Sequence, residues 1–417
     1  MTFVKLLHLA NHNSTNIGNG ALIHGTERAL REDLGGVSFV AEPWDEYTLT
    51  GTRRFDETFV ARVNACDGLL VNGAVTLNGR PMFTHAGMRL DLPFHLWSQI
   101  DRPIVFAGIS YRVWPGQKYH HVDALRKTVE HLTSQPRVLF GVRNDGTKRW
   151  LESLIGFSSD AIVEVPDPAL YVPAAKNRPP SMPTKPTIVV SLNNEDDVYR
   201  FGGGIRERVW PAMSGRVDER RLARWWGHMP GWRSRRRRML QQLADALDLI
   251  SRERDLGIVL CPHYFDDYTI MSELVGLCSP RLAHQVMTST GLAKVDQSDA
   301  FYAWYAHADL AISMRVHSIS PSLGLGTPVL ALSTQGRITD FMRDAGLADF
   351  TVDAFDDRLA ETLIDKIRFC LDHGGEVRQR LADARARLRA RTAAFNRRVG
   401  ALVEPATATS AGSERYA

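Results

Sequence analysis

Short apolar runs alternate with amphipathic stretches along this chain. VKLLHLA, GVSFVA, DGLLVNG, RPIVFAG and RVLFGVR come first, each bounded by turn residues, and DAIVEVPDPA closes the series near residue 169. Between several of them lie GALIHGTERALRED, DETFVARVNA and HHVDALRKTVEHL, whose apolar residues recur every three to four positions. Buried strands alternating with amphipathic helices predict a parallel sheet with right-handed crossovers.

The rhythm stops at Pro173–Pro186, where five prolines fall in fourteen residues. That composition predicts an extended linker. The alternation then restarts. TIVVSLN, GIVLCPH, HQVMTST, DLAISM, PVLALS and DFTVD read as strands. RRMLQQLADALDLISRER reads as a helix with Leu240, Leu243, Leu247 and Ile250 on one face, and SDAFYAWYAHA as a helix capped by Ser298. A long Arg/Ala-rich helix is expected over about Asp356 to Val399.

The predicted class is therefore α/β, with two facing Rossmann-like domains and a cleft between them. The first domain spans 1–172, the linker 173–186 and the second domain 187–400. The small, polar tail 401–417 reads as disordered. A segment at 193–238 breaks the pattern with Trp210, Trp225, Trp226, Trp232 and the basic run Arg233–Arg238. It reads as a lid or acceptor contact, as a solvated helix face, or as a surface for anionic membrane or nucleic acid.

Composition narrows the class. The chain has 417 residues, 44% of them hydrophobic, enough for two cores. A formal charge of +4 fits an enzyme that handles anions and gives no case for nucleic acid. Cys66, Cys261, Cys278 and Cys370 are far apart, with no metal-ligand spacing, so reduced thiols and no metal are expected. With no signal-like or membrane-length run, the expected location is cytoplasmic, with peripheral contact at the inner membrane face left open.

In open parallel sheets ligands bind beyond the carboxyl ends of strands, so the strand-end loops carry the candidate chemistry. After the first strand, NIGNGALIHG places Asn16, Gly18 and Asn19 at a helix start, which reads as an anion or ligand site or as an ordinary glycine turn. Arg143 directly follows a strand, facing the cleft or bridging the next helix start. Asp167, between two prolines, reads as a turn former. His263 and Asp266 lie just past another strand end. In ISMRVHSISPSLGLGTPVLALS, Pro321 predicts a helix that starts late, near Ser318 or Ser320. Arg315 and His317 would then share one face of an extended segment, beside a positive helix end.

Taken in order, these pieces resemble the polysaccharide pyruvyl transferase family. The resemblance runs from about Val4 to Leu347 and is carried by NIGNGALIHG, DGLLVNG, PIVFAGIS, GVRNDGTKRWL, VEVPDPALYV, IVLCPH, ISMRVHSISPSLGLGTPVLALS and GRITDFMRDAG. It implies a GT-B-like fold. It also implies transfer of a pyruvyl group from phosphoenolpyruvate, the donor substrate, to two hydroxyls of a sugar as a ketal, with no metal or redox cofactor. The acceptor sugar could be lipid- or nucleotide-linked. A phosphate and a carboxylate on the donor call for cationic contacts, for which Arg143, Arg315 and Arg337 are the candidates. His317 is the expected acid/base, with His263 and Asp266 orienting the acceptor. The alternative is a glycosyltransferase of the same architecture using a nucleotide sugar.

Overall fold

The computed structural model describes residues 4–115, 117–202, 230–289 and 294–403. The strands are β1 (Val4–Ala10), β2 (Val37–Pro43), β3 (Gly68–Asn72), β4 (Val75–Leu77), β5 (Ile104–Tyr111), β6 (Val138–Arg143) and β7 (Ile162–Val165), then β8 (Thr187–Ser191), β9 (Gly257–Leu260), β10 (Val286–Thr288), β11 (Leu310–Ser313), β12 (Val329–Ser333) and β13 (Thr351–Asp353). All pair in parallel. The first sheet has the order β2-β1-β3-β5-β6-β7, with β4 added beside the end of β5, and the second β10-β9-β8-β11-β12-β13. Every strand read from the pattern is present. The three-residue β4 was not anticipated, because so short a segment carries no periodicity.

Described helices of eight or more residues are α1 (Ile17–Leu34), α2 (Glu57–Asn64), α3 (Val122–Ser134), α4 (Thr147–Ile155), α5 (Pro230–Glu253), α6 (Asp267–Leu277), α7 (Ser298–Ala306), α8 (Val316–Leu325), α9 (Gly336–Asp344), α10 (Leu359–Asp372) and α11 (Gly374–Val403). Alternation within strands divides the first sheet's two faces. Leu7, Leu69, Phe106 and Phe140 belong to one core cluster, and their neighbours Leu6, Leu70, Val105 and Leu139 to another.

That second face corrects the domain assignment. The expected single C-terminal helix is two, α10 and α11. Val377, Leu381 and Leu388 of α11 pack into the second domain's core, whereas Phe395, Val399 and Val403 pack beneath the first sheet. The chain's last helix therefore completes the first domain, and residues beyond about 392 do not belong to the second. Of the tail expected to be disordered at 401–417, residues 401–403 are helical, and the rest lies outside the described residues. No regular helix or strand forms between 173 and 186.

Of the 193–238 segment, residues 203–229, including Trp210, Trp225 and Trp226, lie outside the described residues. Trp232 is buried, and the basic run forms the first turns of α5. There Arg236 pairs with Glu273 at 2.6 Å, Arg238 pairs with Asp357 at 3.2 Å, and Arg235 lies over the Phe355 ring. Much of the run is thus engaged within the fold. No described helix is long and apolar enough to cross a membrane.

Candidate active site

Strand order reverses between β1 and β3 in the first sheet and between β8 and β11 in the second. Crevices form at such switch points. The loops leaving these four strands all border one cavity of about 680 Å3 between the domains. Its lining holds nine arginines against five carboxylates, an excess of cationic side chains.

His317 faces this cavity with about a fifth of its side chain exposed (22%). It does so from inside a helix. α8 begins at Val316, and only Arg315 keeps an extended backbone, as its N-cap. The expected late start fails because Pro321 sits within α8. Proline there lacks the N–H that would bond the carbonyl four residues earlier, which is that of His317. The Tyr302 hydroxyl donates to this carbonyl instead, at 2.6 Å. The vacant acceptor is satisfied from α7, and the helix survives its proline.

A guanidinium N–H of Arg143 donates to His317 Nε2 at 3.1 Å. Arginine keeps its protons, so the neutral ring carries its own proton on Nδ1. Burial, followed by the nearby Arg143 and Arg337 charges, lowers the imidazole pKa well below its ordinary value. Gly18 at the start of α1 makes the approach possible. A Cβ there would stand 2.9 Å from both Cβ and Nδ1 of His317. Asn16 caps the same helix by accepting from Gly18 N at 3.0 Å, and Asn19 donates to Ser14 Oγ at 2.8 Å. Asn16 and Asn19 both line the cavity.

Arg143 is 1% exposed and lies 3.0 Å from Asp167, which is wholly buried. It also donates to the Gly73 carbonyl. Asp167 forms the expected turn, accepting from Ala169 N at 2.8 Å, and is the counter-charge of Arg143 as well. Arg337, at the start of α9, crosses the cleft to Ser110 Oγ at 3.0 Å and to the Tyr111 carbonyl. Burial lowers its pKa, and its nearest carboxylate, Asp145, is 4.0 Å away.

Arg315 stands differently from its expected role. It is held between Asp267 and Glu195. Burial alone would raise the Glu195 carboxyl, but Arg315 and Arg112 hold it down to about 2. Arg315 thus reaches the cleft already neutralised and orders the loop after β8.

His263 and Asp266 are not brought to the cavity wall. His263 is 2% exposed, with Nε2 2.8 Å from the Tyr305 hydroxyl and its ring against Phe301. Asp266 is the residue before α6 and makes no side-chain cap. The acid that matters is its neighbour Asp267, which takes Arg315 and accepts from the backbone of His263 at 3.0 Å. Ser298 is the first residue of α7 and meets His24 of α1 at 2.6 Å, while Gln297 occupies the N-cap.

Six of the nine lining arginines were not anticipated, and two of them, Arg200 and Arg89, stand out. Arg200 is 5% exposed, bonds Thr334 Oγ1 at 2.7 Å and lies over the Trp114 ring. Arg89 bonds Asn11 Oδ1 and Thr48 Oγ1, each at 2.9 Å. Burial brings each of their pKa values down to about 10. Among the described residues, neither has a carboxylate within ion-pair distance. Only their separate loops, folded together, reveal them.

The family model for polysaccharide pyruvyl transferase matches residues 16–336, which includes every element of this site named above except the residues before Asn16 and after Gly336. The chain belongs to the polysaccharide pyruvyl transferase family. Arg337 lies one residue past the matched span of that pyruvyl transferase model. Among solved structures, the chain is similar to the OtsA apo structure (TM-score 0.52, 10% identity, covering 97% of this chain and 99% of that one). It is also similar to the S. aureus MnaA–UDP co-structure (TM-score 0.50, 12% identity, 95% of each chain). At these identities the likeness concerns the fold, which is of the GT-B kind. A comparison with curated proteins gives no match.

Proposed function

We propose that this pyruvyl transferase family member moves the pyruvyl group of phosphoenolpyruvate onto two hydroxyls of a sugar, as a ketal, in glycoconjugate or polysaccharide synthesis. One observation carries the reading. A neutral histidine, His317, touches a buried arginine at 3.1 Å on the wall of a cavity rich in arginine.

The donor carries a phosphate and a carboxylate. Arg143, Arg337 and Arg200 line the cavity and supply cationic contacts for them. Anion binding draws the Arg143 N–H away from Nε2 and offsets the arginine charges that, after burial, lower the His317 pKa. The imidazole then accepts a proton from the first sugar hydroxyl. That proton is delivered to the donor's methylene carbon, which becomes a methyl group. The hydroxyl oxygen bonds to the adjacent carbon, and phosphate leaves with its bridging oxygen. The second hydroxyl closes the ketal, and its proton leaves with phosphate. Atoms and charge balance without an oxidant.

Thermal unfolding in the presence of phosphoenolpyruvate, or of a panel of nucleotide sugars, tests the donor. A rise in Tm with phosphoenolpyruvate supports the proposal. A rise with a nucleotide sugar alone points instead to glycosyl transfer.

A further inference from the structure

The donor accounts for one end of the cavity and leaves a cation at the other. Arg89 lines the cavity from the long loop after β4. Its guanidinium is fixed by neutral oxygens, those of Thr48 and Asn11, and lies 4.7 Å from the centre of the buried Trp44 ring. Asp45 stands in the same wall, beyond ion-pair distance.

The surroundings of Arg89 are separate from those of His317. The charges acting on His317 come from Arg143, Arg337, His263 and Arg315. Those acting on Arg89 come from Asp45, Arg80 and Arg112. In the same wall Tyr47 and Phe55 stack at 4.1 Å with their planes 8° apart. A held, largely buried guanidinium with no carboxylate within ion-pair distance among the described residues can take an anion through charge-assisted hydrogen bonds.

We propose that Arg89 forms a second anion subsite, distinct from the donor's, which takes a phosphate or carboxylate group carried by the acceptor. This inference rests on the pyruvyl-transfer reading, because that reading places an acceptor beside the donor in the cavity. Asn11 ties the subsite to the reacting end. Its Oδ1 takes Arg89, and its Nδ2 lies 3.3 Å from Asn19 Oδ1 on the helix that abuts His317. An acceptor anchored on Arg89 would present its hydroxyls toward that helix start.

The test is calorimetry on the full chain saturated with phosphoenolpyruvate, titrated with inorganic diphosphate and, separately, with glucuronate. At least one anion should bind at one per chain without displacing phosphoenolpyruvate. Saturable diphosphate binding marks a phosphate-linked acceptor, and glucuronate binding marks an acidic sugar. Arg89→Gln should weaken that binding by about tenfold or more, the loss of a charge-assisted hydrogen bond. Its Kd for phosphoenolpyruvate should stay within about twofold, because no donor contact is lost. Arg89→Lys, which keeps the charge and loses the fork, should fall between the two. Competition of both anions with phosphoenolpyruvate for a single site in the wild-type chain would overturn the proposal. So would an Arg89→Gln protein that folds and binds both anions unchanged. If phosphoenolpyruvate itself does not bind, the donor reading fails, and the Arg89 subsite is judged by the same titrations on the ligand-free chain.

Discussion

Two histidines follow strands of the second sheet, and the fold treats them in opposite ways. His263 comes after β9 and is enclosed by Phe301, Tyr302 and Tyr305. His317 comes after β11 and meets Arg143 from the other domain. Both rings are neutral, chiefly because burial lowers their pKa values. What separates them is what lies opposite. The ring of His263 faces an aromatic helix of its own domain. His317 faces Gly18, where a missing side chain leaves room for an imidazole at the domain boundary. Position at a strand end selects candidates, and the opposing surface decides among them.

The largest expected effect breaks the pair apart. His317→Ala should lower kcat by roughly 10²–10⁴-fold, as loss of an acid/base does, with a cooperative melt retained. His263→Ala should leave kcat per folded molecule nearly intact and cost about 3 kcal/mol of stability, as truncation of a buried ring does. Turnover assays alongside denaturant titrations check both. Reversed outcomes would mean that the roles are exchanged.

Gly18→Ala comes next. Alanine ordinarily favours a helix, yet here its Cβ must displace the His317 ring. A shift of about 1 Å should cost on the order of 10²-fold in kcat, read in steady-state kinetics, without loss of helix content.

An NMR titration of the imidazoles separates the two rings by their electrostatics. In the free protein both stay neutral well below the ordinary histidine pKa of about 6.5. Phosphoenolpyruvate should raise the His317 pKa, because its anion offsets Arg143 and Arg337, and leave that of His263 unmoved. Equal movement of both would deny that the donor binds beside His317.

Tyr302→Phe is the smallest change. It removes the hydroxyl that satisfies the His317 carbonyl and should cost about 1–3 kcal/mol of stability. It should lower kcat by less than about tenfold and leave the KM for phosphoenolpyruvate in place.

The parallel sheets were legible because buried strands and amphipathic helices have distinct periods. Arg143, His317 and the Asn16–Asn19 turn were legible because strand ends in such sheets point to a crevice. Arg89, Arg200 and Asp267 were not, since their meaning lies in partners brought from other loops. Pro321 misled for a related reason. Proline signals a late helix start unless the freed carbonyl finds another donor, and Tyr302, nineteen positions earlier in the chain, supplies one.

The most direct measurement is the mass of a candidate sugar acceptor after incubation with the chain and phosphoenolpyruvate. The account predicts an acceptor heavier by pyruvate less one water, one phosphate released per acceptor modified, and neither product with His317→Ala. Transfer of a sugar from a nucleotide donor, with phosphoenolpyruvate left intact, would contradict it.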